Sequence, residues 1–223
     1  MRLQLQTIVV TCCMIPTCAI TFAQNPSQIL EQVNSQYRAS KSFQATYHCE
    51  ILMGRGIEAN QFKVWISGGK FRMESTKGGA TKPSSIVVDD GKRSIIYSQA
   101  TNKYLEGPHS KDPMPFLRVY GILVGGLQTR GGVQYSSQPD QKLNGFQTYR
   151  LHGTSERDKT NSVDLWIDRV NHVVRQVQMG APGMPGSVKT SLISFAFDRP
   201  IDAKMFVFNP PKGSTAMGNR AAK

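Results

Sequence analysis

The chain has few cysteines, and they are not placed to form a disulfide framework. Three of the four lie within the first 23 residues, and only Cys49 lies beyond them. The sequence also lacks the 18 or more consecutive apolar residues of a membrane-spanning helix. It contains no H-E-x-x-H, C-x-x-C or G-x-S-x-G motif, so the common signatures of zinc peptidases, thiol oxidoreductases and serine hydrolases are absent.

Acidic residues are scarce, with 15 Asp and Glu against 27 Lys and Arg and a net charge of +12. The cations are scattered along the chain and do not alternate with aromatic residues, so no nucleic-acid platform is expected. A basic protein outside the cytoplasm meets anionic lipid headgroups, acidic protein surfaces or cell-envelope polymers. A merely solvated basic surface is the alternative.

The first 23 residues have the features of a secretory signal peptide. Arg2 precedes an apolar stretch over residues 8–20, and small residues follow at the cleavage position. We predict cleavage after Ala23 and a single domain over residues 24–223. A membrane anchor and a lipoprotein acylated on Cys18 are the alternatives. With the signal peptide removed, Cys49 has no intrachain partner, and we expect a buried, inert thiol.

Alternation of apolar and polar residues dominates the chain after residue 40. Apolar side chains at every second position over residues 43–51 predict a strand with one buried face. Two hairpins are predicted to turn at Gly68–Gly69 and at Asp90–Gly91, and a third near residues 169–171. "KMFVFNPP" (204–211) is predicted to be the closing strand, because its two prolines end strand pairing.

Two segments depart from this alternation. Asn25 and Pro26 form a helix start, followed by apolar residues at helical spacing, namely Ile29, Leu30, Val33 and Tyr37. "PMPFLRVYGILVGGL" (113–127) holds nine large apolar residues in fifteen, with two prolines and three glycines. Glycine weakens a helix by roughly 1 kcal/mol relative to alanine, so we interpret this segment as a mobile lid. An ordinary core helix is the alternative.

These elements predict an α+β fold, an incomplete antiparallel β-barrel built from one large curved sheet of about 10–11 strands. Twist curls a sheet of that width, and its apolar face is expected to be concave. We expect the N-terminal helix and the helical lid to cover that face.

Four stretches of the sequence, taken in order, point to a known family. They are the strand pair around Trp65 followed by "DGK" (90–92), the "PMPFLRV" segment (113–119), "VDLWIDRVNHVVRQV" (163–177), and the ending "IDAKMFVFNPPKGSTAM" (201–217). Together they resemble the LolA lipoprotein-carrier family. The resemblance covers nearly the whole chain after the signal peptide. One position departs from it: the carrier family has an arginine in a W-x-x-R-P loop, where this chain has Gly68–Gly69.

The resemblance implies an incomplete barrel with a helical lid and a periplasmic protein that carries lipoprotein acyl chains or other lipids. Its partners would be lipids or lipid-modified proteins, an inner-membrane export complex and an outer-membrane acceptor. We expect a monomer that has no cofactor and binds no nucleic acid. Relatives of the same fold sense mislocalised lipoproteins, as RseB does, so a sensor or protein-interaction module is the alternative function.

The predicted lipid-binding residues come from three parts of the chain. They are apolar positions of the early strands, of the lid and of the closing strand: Tyr47, Val64, Ile66, Phe71, Met73, Phe116, Leu117, Tyr120, Leu123 and Phe206.

An enzymatic function has weaker support in the sequence. The four histidines show no metal-ligand spacing, so we predict neither a metal site nor catalytic residues. Asp164 and Asp168 lie four residues apart on a predicted strand, roughly 13 Å at ~3.3 Å per residue. That separation is wider than the carboxylate pairs of glycosidases. An envelope hydrolase using one of these aspartates remains the less favoured alternative.

Overall fold

The computed structural model describes residues 25–54, 56–109, 133–155, 162–180 and 184–217. These residues contain one α-helix, α1 (Pro26–Ala39), and a short 3-10 helix (Ala203–Phe206). They also form twelve strands, more than the ten or eleven expected: β1 (Ser42–Met53), β2 (Gly56–Ser67), β3 (Lys70–Lys77), β4 (Ser85–Asp89), β5 (Arg93–Ser98), β6 (Lys103–Pro108), β7 (Val133–Leu143), β8 (Phe146–Ser155), β9 (Ser162–Asp168), β10 (Val174–Met179), β11 (Val188–Phe197) and β12 (Thr215–Ala216).

The start and end of α1 follow from its sequence. The Asn25 side chain accepts a hydrogen bond from the Ser27 amide at 3.0 Å, and the Gln28 side chain accepts one from the Asn25 amide. This reciprocal capping box satisfies amides that have no partner within the helix. Pro26 occupies the first turn, where no amide donor is needed. At the other end the Ser40 hydroxyl donates to the Gln36 carbonyl at 2.7 Å.

The twelve strands form one curved, unclosed sheet in the order β12-β6-β5-β4-β3-β2-β1-β11-β10-β9-β8-β7. All neighbouring pairs are antiparallel except β12 and β6. The sheet therefore has the incomplete-barrel form that the sequence predicts. Strand β1 pairs with β11, so the first and last long strands meet in the middle of the sheet.

The predicted hairpin turns lie where the sequence places them. Gly68 and Gly69 both have positive φ, +55° and +77°, between β2 and β3. A two-residue hairpin turn with both central residues in this region suits glycine and matches the twist of the strands. Asp90 turns the chain between β4 and β5 by accepting hydrogen bonds from the Lys92 and Arg93 amides. The third hairpin turns between β9 and β10.

The two faces of the sheet have different partners. We call the side that contacts α1 the helix face and the opposite side the outer face. A single apolar cluster joins α1 to the helix face, and its buried members are Ile29, Val33, Tyr37, Phe43, Ala45, Tyr47, Val64, Ile66, Phe71, Met73, Leu151, Val163, Leu165, Ile167, Val174 and Val177.

The prediction of a closing strand at residues 204–211 is wrong. Asp202 accepts a hydrogen bond from the Lys204 amide at 2.9 Å and starts the 3-10 helix there. The last strand, β12, follows the two prolines and pairs in parallel with Lys103 and Tyr104 of β6. Local capping at Asp202 thus takes precedence over the alternating pattern.

The predicted signal peptide (1–23) and lid (113–127) lie outside the described residues. Whether a lid covers the helix face therefore stays a prediction. Among the described residues, no helix is long and apolar enough to cross a membrane.

Candidate functional site

Five of the predicted lipid-binding residues lie together on the helix face. Tyr47, Val64, Ile66, Phe71 and Met73 belong to the adjacent strands β1, β2 and β3, and each is at most 7% exposed. Val64 is paired with Met73, and Ile66 with Phe71. Because side chains alternate along a strand, these pairs direct all five toward the side that α1 contacts. The sequence pattern is sufficient to group them.

Aromatic contacts hold α1 against the sheet. The Tyr37 ring lies 4.9 Å from the Phe43 ring and 5.5 Å from the Phe197 ring, both in edge-to-face geometry. Burial raises the pKa of Tyr37 and that of Tyr47 above the ordinary value of 10. Both phenols therefore stay neutral at physiological pH, and this part of the helix face carries no charge from them.

An uninterrupted line of apolar side chains crosses six strands of the helix face. We call it the apolar row, and register places its members opposite one another: Ala45, Val64, Met73, Val87, Ile96 and Leu105. Ala45, Val64 and Met73 are buried, Val87 and Leu105 are partly buried, and Ile96 is 47% exposed. The row therefore runs from the core under α1 to partly exposed apolar side chains on β4–β6.

Three members of the apolar row are not among the site residues predicted from the sequence, namely Val87, Ile96 and Leu105. Apolar residues on β5 occupy both parities, since Ile95, Ile96 and Tyr97 are consecutive. Consecutive apolar residues on one strand indicate that neither face is wholly polar. That signal was present in the sequence and would have extended the predicted site to β5.

Phe206 is not brought together with the other predicted residues. It is buried in the 3-10 helix, and the backbone carbonyl of its neighbour Met205 accepts a hydrogen bond from Arg72 at 3.0 Å. Arg72 lies between Phe71 and Met73 and so projects from the outer face. Phe206 thus lies beside the outer face. Phe116, Leu117, Tyr120 and Leu123 lie outside the described residues.

The two aspartates of the hydrolase alternative are both engaged in ion pairs. Asp164 contacts Arg150 and His152 at 3.3 and 3.1 Å. Asp168 binds the Arg175 guanidinium through two contacts of 2.8 and 2.6 Å. Among the described residues, no group of three or more His, Cys, Asp or Glu side chains is placed to hold a metal ion.

Cys49 lies on the helix face, as its position in the strand pattern predicts. Its side chain is 3% exposed, and it is a free cysteine. Burial raises the pKa of the thiol, which disfavours the reactive thiolate. Cys49 therefore belongs to the apolar packing of the sheet.

The chain is similar to known proteins in structure. No family model matches the chain, and no curated protein matches it. Solved structures do match. An uncharacterized conserved protein from Thermus thermophilus is 16% identical with a TM-score of 0.60, and the match covers 87% of this chain and 99% of that one.

Two further matches are structures of MucB and of a LolA superfamily protein. MucB in complex with MucA(peri) is 14% identical with a TM-score of 0.50; the match covers 82% of this chain but only 60% of MucB. A LolA superfamily protein from Nitrosomonas europaea is 10% identical, covering 83% of this chain and 99% of that one, and its TM-score of 0.41 supports no further inference. At these identities the likeness shows the fold alone, and the chain shares that fold with the Thermus thermophilus protein and with MucB.

Proposed function

We propose that this protein binds lipid acyl chains on the helix face of its sheet. The observation that carries the proposal is the apolar row, which continues from buried Val64 to half-exposed Ile96. Soluble proteins seldom leave a contiguous apolar surface open unless it binds something. A surface lined by aliphatic side chains, without charge along the row, suits a hydrocarbon chain.

Transfer of an acyl chain from water to an apolar surface is strongly favourable. A sixteen-carbon chain transferred out of water gains about 12 kcal/mol at ~0.8 kcal/mol per methylene. A carrier must offer enough apolar surface to hold such a chain and must also be able to release it. One 14-residue helix, about 21 Å long at 1.5 Å per residue, covers only part of a twelve-stranded sheet. Among the described residues, the apolar surface beyond α1 is where we propose that cargo binds.

The finer form of the proposal is a periplasmic carrier of lipoproteins or lipids with a lid formed by residues 113–127. In this mechanism the lid fills the apolar surface without cargo and moves aside when an acyl chain takes its place. An inner-membrane export complex would supply the cargo, and an outer-membrane acceptor would receive it. The lid role rests on the sequence of the segment alone.

A sensor or protein-interaction module is the second candidate function. The structural match to MucB, solved in complex with MucA(peri), favours it, because that protein assembles with a protein partner. The match spans 60% of MucB, so the partner surface of the whole protein need not be present here. In this alternative the helix face is occupied by protein side chains and holds no lipid.

The test compares two glutamate substitutions at isoleucines of similar exposure on opposite faces. Ile96→Glu puts a charge on the apolar row, whereas Ile57→Glu puts one on the outer face, where Ile57 is 68% exposed. Both variants should fold, because both positions are accessible. Native mass spectrometry of protein taken from the cell envelope, with fluorescent fatty-acid titration, measures the lipid bound.

We expect Ile96→Glu to weaken fatty-acid binding by about tenfold, equivalent to ~1.4 kcal/mol, and Ile57→Glu to leave it unchanged. Leu117→Glu should also impair loading without unfolding the protein if the lid acts as proposed. Protein that carries no extractable lipid, and whose affinity for fatty acid is the same in both isoleucine variants, would refute lipid binding and favour the interaction module.

A further inference from the structure

A polar pocket lies on the outer face at the centre of the sheet. Its volume is about 390 Å³, within the range of small-ligand sites. It is formed by β1, β2 and β11 and the residues just after β11. The polar residues and the tryptophan that line it are Gln44, Thr46, Lys63, Trp65, Ser194 and Arg199, and Ala45, Phe195 and Ala196 complete the lining.

Strand register explains why these side chains meet. Gln44 is paired with Trp65 on β2, and Thr46 with Lys63. On the other side of β1, Thr46 is paired with Ser194. The register of β1 and β11 shifts immediately after Thr46, as in a β-bulge. Bulges redirect side chains and are common next to functional sites.

The two cations of the pocket have no carboxylate partner among the described residues. Glu74 is paired with Lys63 across the strands, but its Oε1 atom is held by Arg72 at 2.6 and 2.8 Å. None of the described residues that line the pocket is a carboxylate. The pocket therefore presents uncompensated positive charge.

The second cation is likewise unpaired. Asp198 precedes Arg199, but its carboxylate accepts a hydrogen bond from the Lys41 amide at 2.7 Å. The Arg199 carbonyl accepts from the Ser42 hydroxyl at 2.6 Å, which fixes the backbone at the pocket rim. The Arg199 guanidinium is exposed and can therefore bind an anion in a bidentate manner.

We propose that this pocket binds an acidic saccharide. The half-buried Trp65 ring offers a flat apolar face to a sugar ring, and the hydroxyls and amide of Thr46, Ser194 and Gln44 match its hydroxyl groups. Lys63 and Arg199 bind the carboxylate or phosphate that the sugar carries. The site is separate from the helix face, so the protein can hold a lipid and a saccharide at the same time.

The test uses the indole signals of the two tryptophans. In a two-dimensional ¹H–¹⁵N NMR spectrum, each indole N–H gives one peak, and Trp166→Phe identifies the Trp65 peak. The probes are a tetrasaccharide of alternating glucuronate and N-acetylglucosamine, a neutral N-acetylglucosamine tetramer and inorganic phosphate. We expect a saturable shift of the Trp65 peak with the acidic tetrasaccharide, about tenfold weaker binding of the neutral one, and none with phosphate.

Matched variants locate the binding site. Lys63→Gln and Arg199→Gln should each weaken the acidic tetrasaccharide about tenfold, whereas Lys142→Gln, an equal charge change on β7, should not. Ile96→Glu should leave this titration unchanged, which separates it from lipid binding. The proposal is overturned if the Trp65 peak does not move, if phosphate alone shifts it equally, or if Lys142→Gln weakens binding as much as Lys63→Gln.

Discussion

The centre of the sheet and its β4–β6 end bury opposite faces. On β1 the buried residues face α1, with Phe43 and Tyr47 only 2% and 3% exposed. On β5 the buried residues face outward: Ile95 and Tyr97 are 3% and 7% exposed, while Ile96 between them is 47% exposed. The protected side of the sheet thus changes between β1 and β5.

The cause lies in two covering segments at different places. Helix α1 covers the helix face at the centre, and the C-terminal segment (203–217) covers the outer face of β3–β6. There the Phe208 ring lies 5.4 Å from the Tyr97 ring, and β12 pairs with β6. The centre and the β4–β6 end therefore gain their cores from different segments, and the described residues leave the helix face of β4–β6 partly accessible. That accessible surface is what a binding protein needs.

The largest effect is expected from the buried ion pair between Asp168 and Arg175 at the β9–β10 turn. Arg175 is 10% exposed and Asp168 3%, so Arg175→Gln leaves a buried carboxylate without its cation. Removing one partner of a buried pair costs about 3–5 kcal/mol. Lys189→Gln, which breaks an exposed pair with Glu50, should cost no more than about 1 kcal/mol. Urea unfolding measures both losses.

The destabilisation caused by Arg175→Gln should depend on pH. Burial acts to raise the pKa of Asp168, but the Asn171 and Val170 amides and Arg175 outweigh it, and the pKa lies below the ordinary 3.8. As the pH falls below about 4, the unfolded state binds more protons than the folded state. The stabilisation that ionised Asp168 contributes to the folded state is therefore lost in this pH range. The difference in free energy of unfolding between wild type and Arg175→Gln should therefore become smaller below about pH 4. A difference that does not change with pH would contradict the role given to the Asp168–Arg175 pair.

A smaller loss of stability is expected from substitutions in β5, at the β4–β6 end of the sheet. Ile95→Ala removes a buried side chain and should cost about 2–4 kcal/mol. Ile96→Ala removes a half-exposed one, and about 0.5 kcal/mol is expected. Thermal and urea unfolding of the two variants measure the free energy of unfolding lost on the outer face and on the helix face of β5. Equal losses would mean that the helix face of β5 is packed as tightly as its outer face.

Much of the fold was predictable because it follows from local rules. The capping box at Asn25, the glycine pair at residues 68–69 and the alternation along β1 all act over a few residues. The same alternation grouped Tyr47 and Val64 correctly, since strand parity fixes the face. Parity cannot tell which face another segment will cover, and so the accessible end of the apolar row was not predicted.

The C-terminal segment and the outer pocket depend on distant contacts. Phe206 and Phe208 alternate as they would in a strand, but their place is set by Arg72 and Tyr97, more than 100 residues earlier. The pocket needs Ser194 of β11 beside Lys63 of β2, which only the central pairing of β1 provides. No local pattern in the sequence encodes either arrangement.

The smallest of these effects concerns the attachment of the C-terminal segment. Arg72 donates both to Glu74 and to the Met205 carbonyl, so Arg72→Gln should cost about 1–2 kcal/mol and loosen the segment over the outer face. Limited proteolysis with mass spectrometry should then find faster cleavage between residues 203 and 217. Arg93→Gln, which breaks an exposed pair with Glu106, is the matched control and should leave cleavage unchanged. If the segment stays equally protected in Arg72→Gln, its packing against Tyr97 and the pairing of β12 with β6 are sufficient to hold it on the outer face.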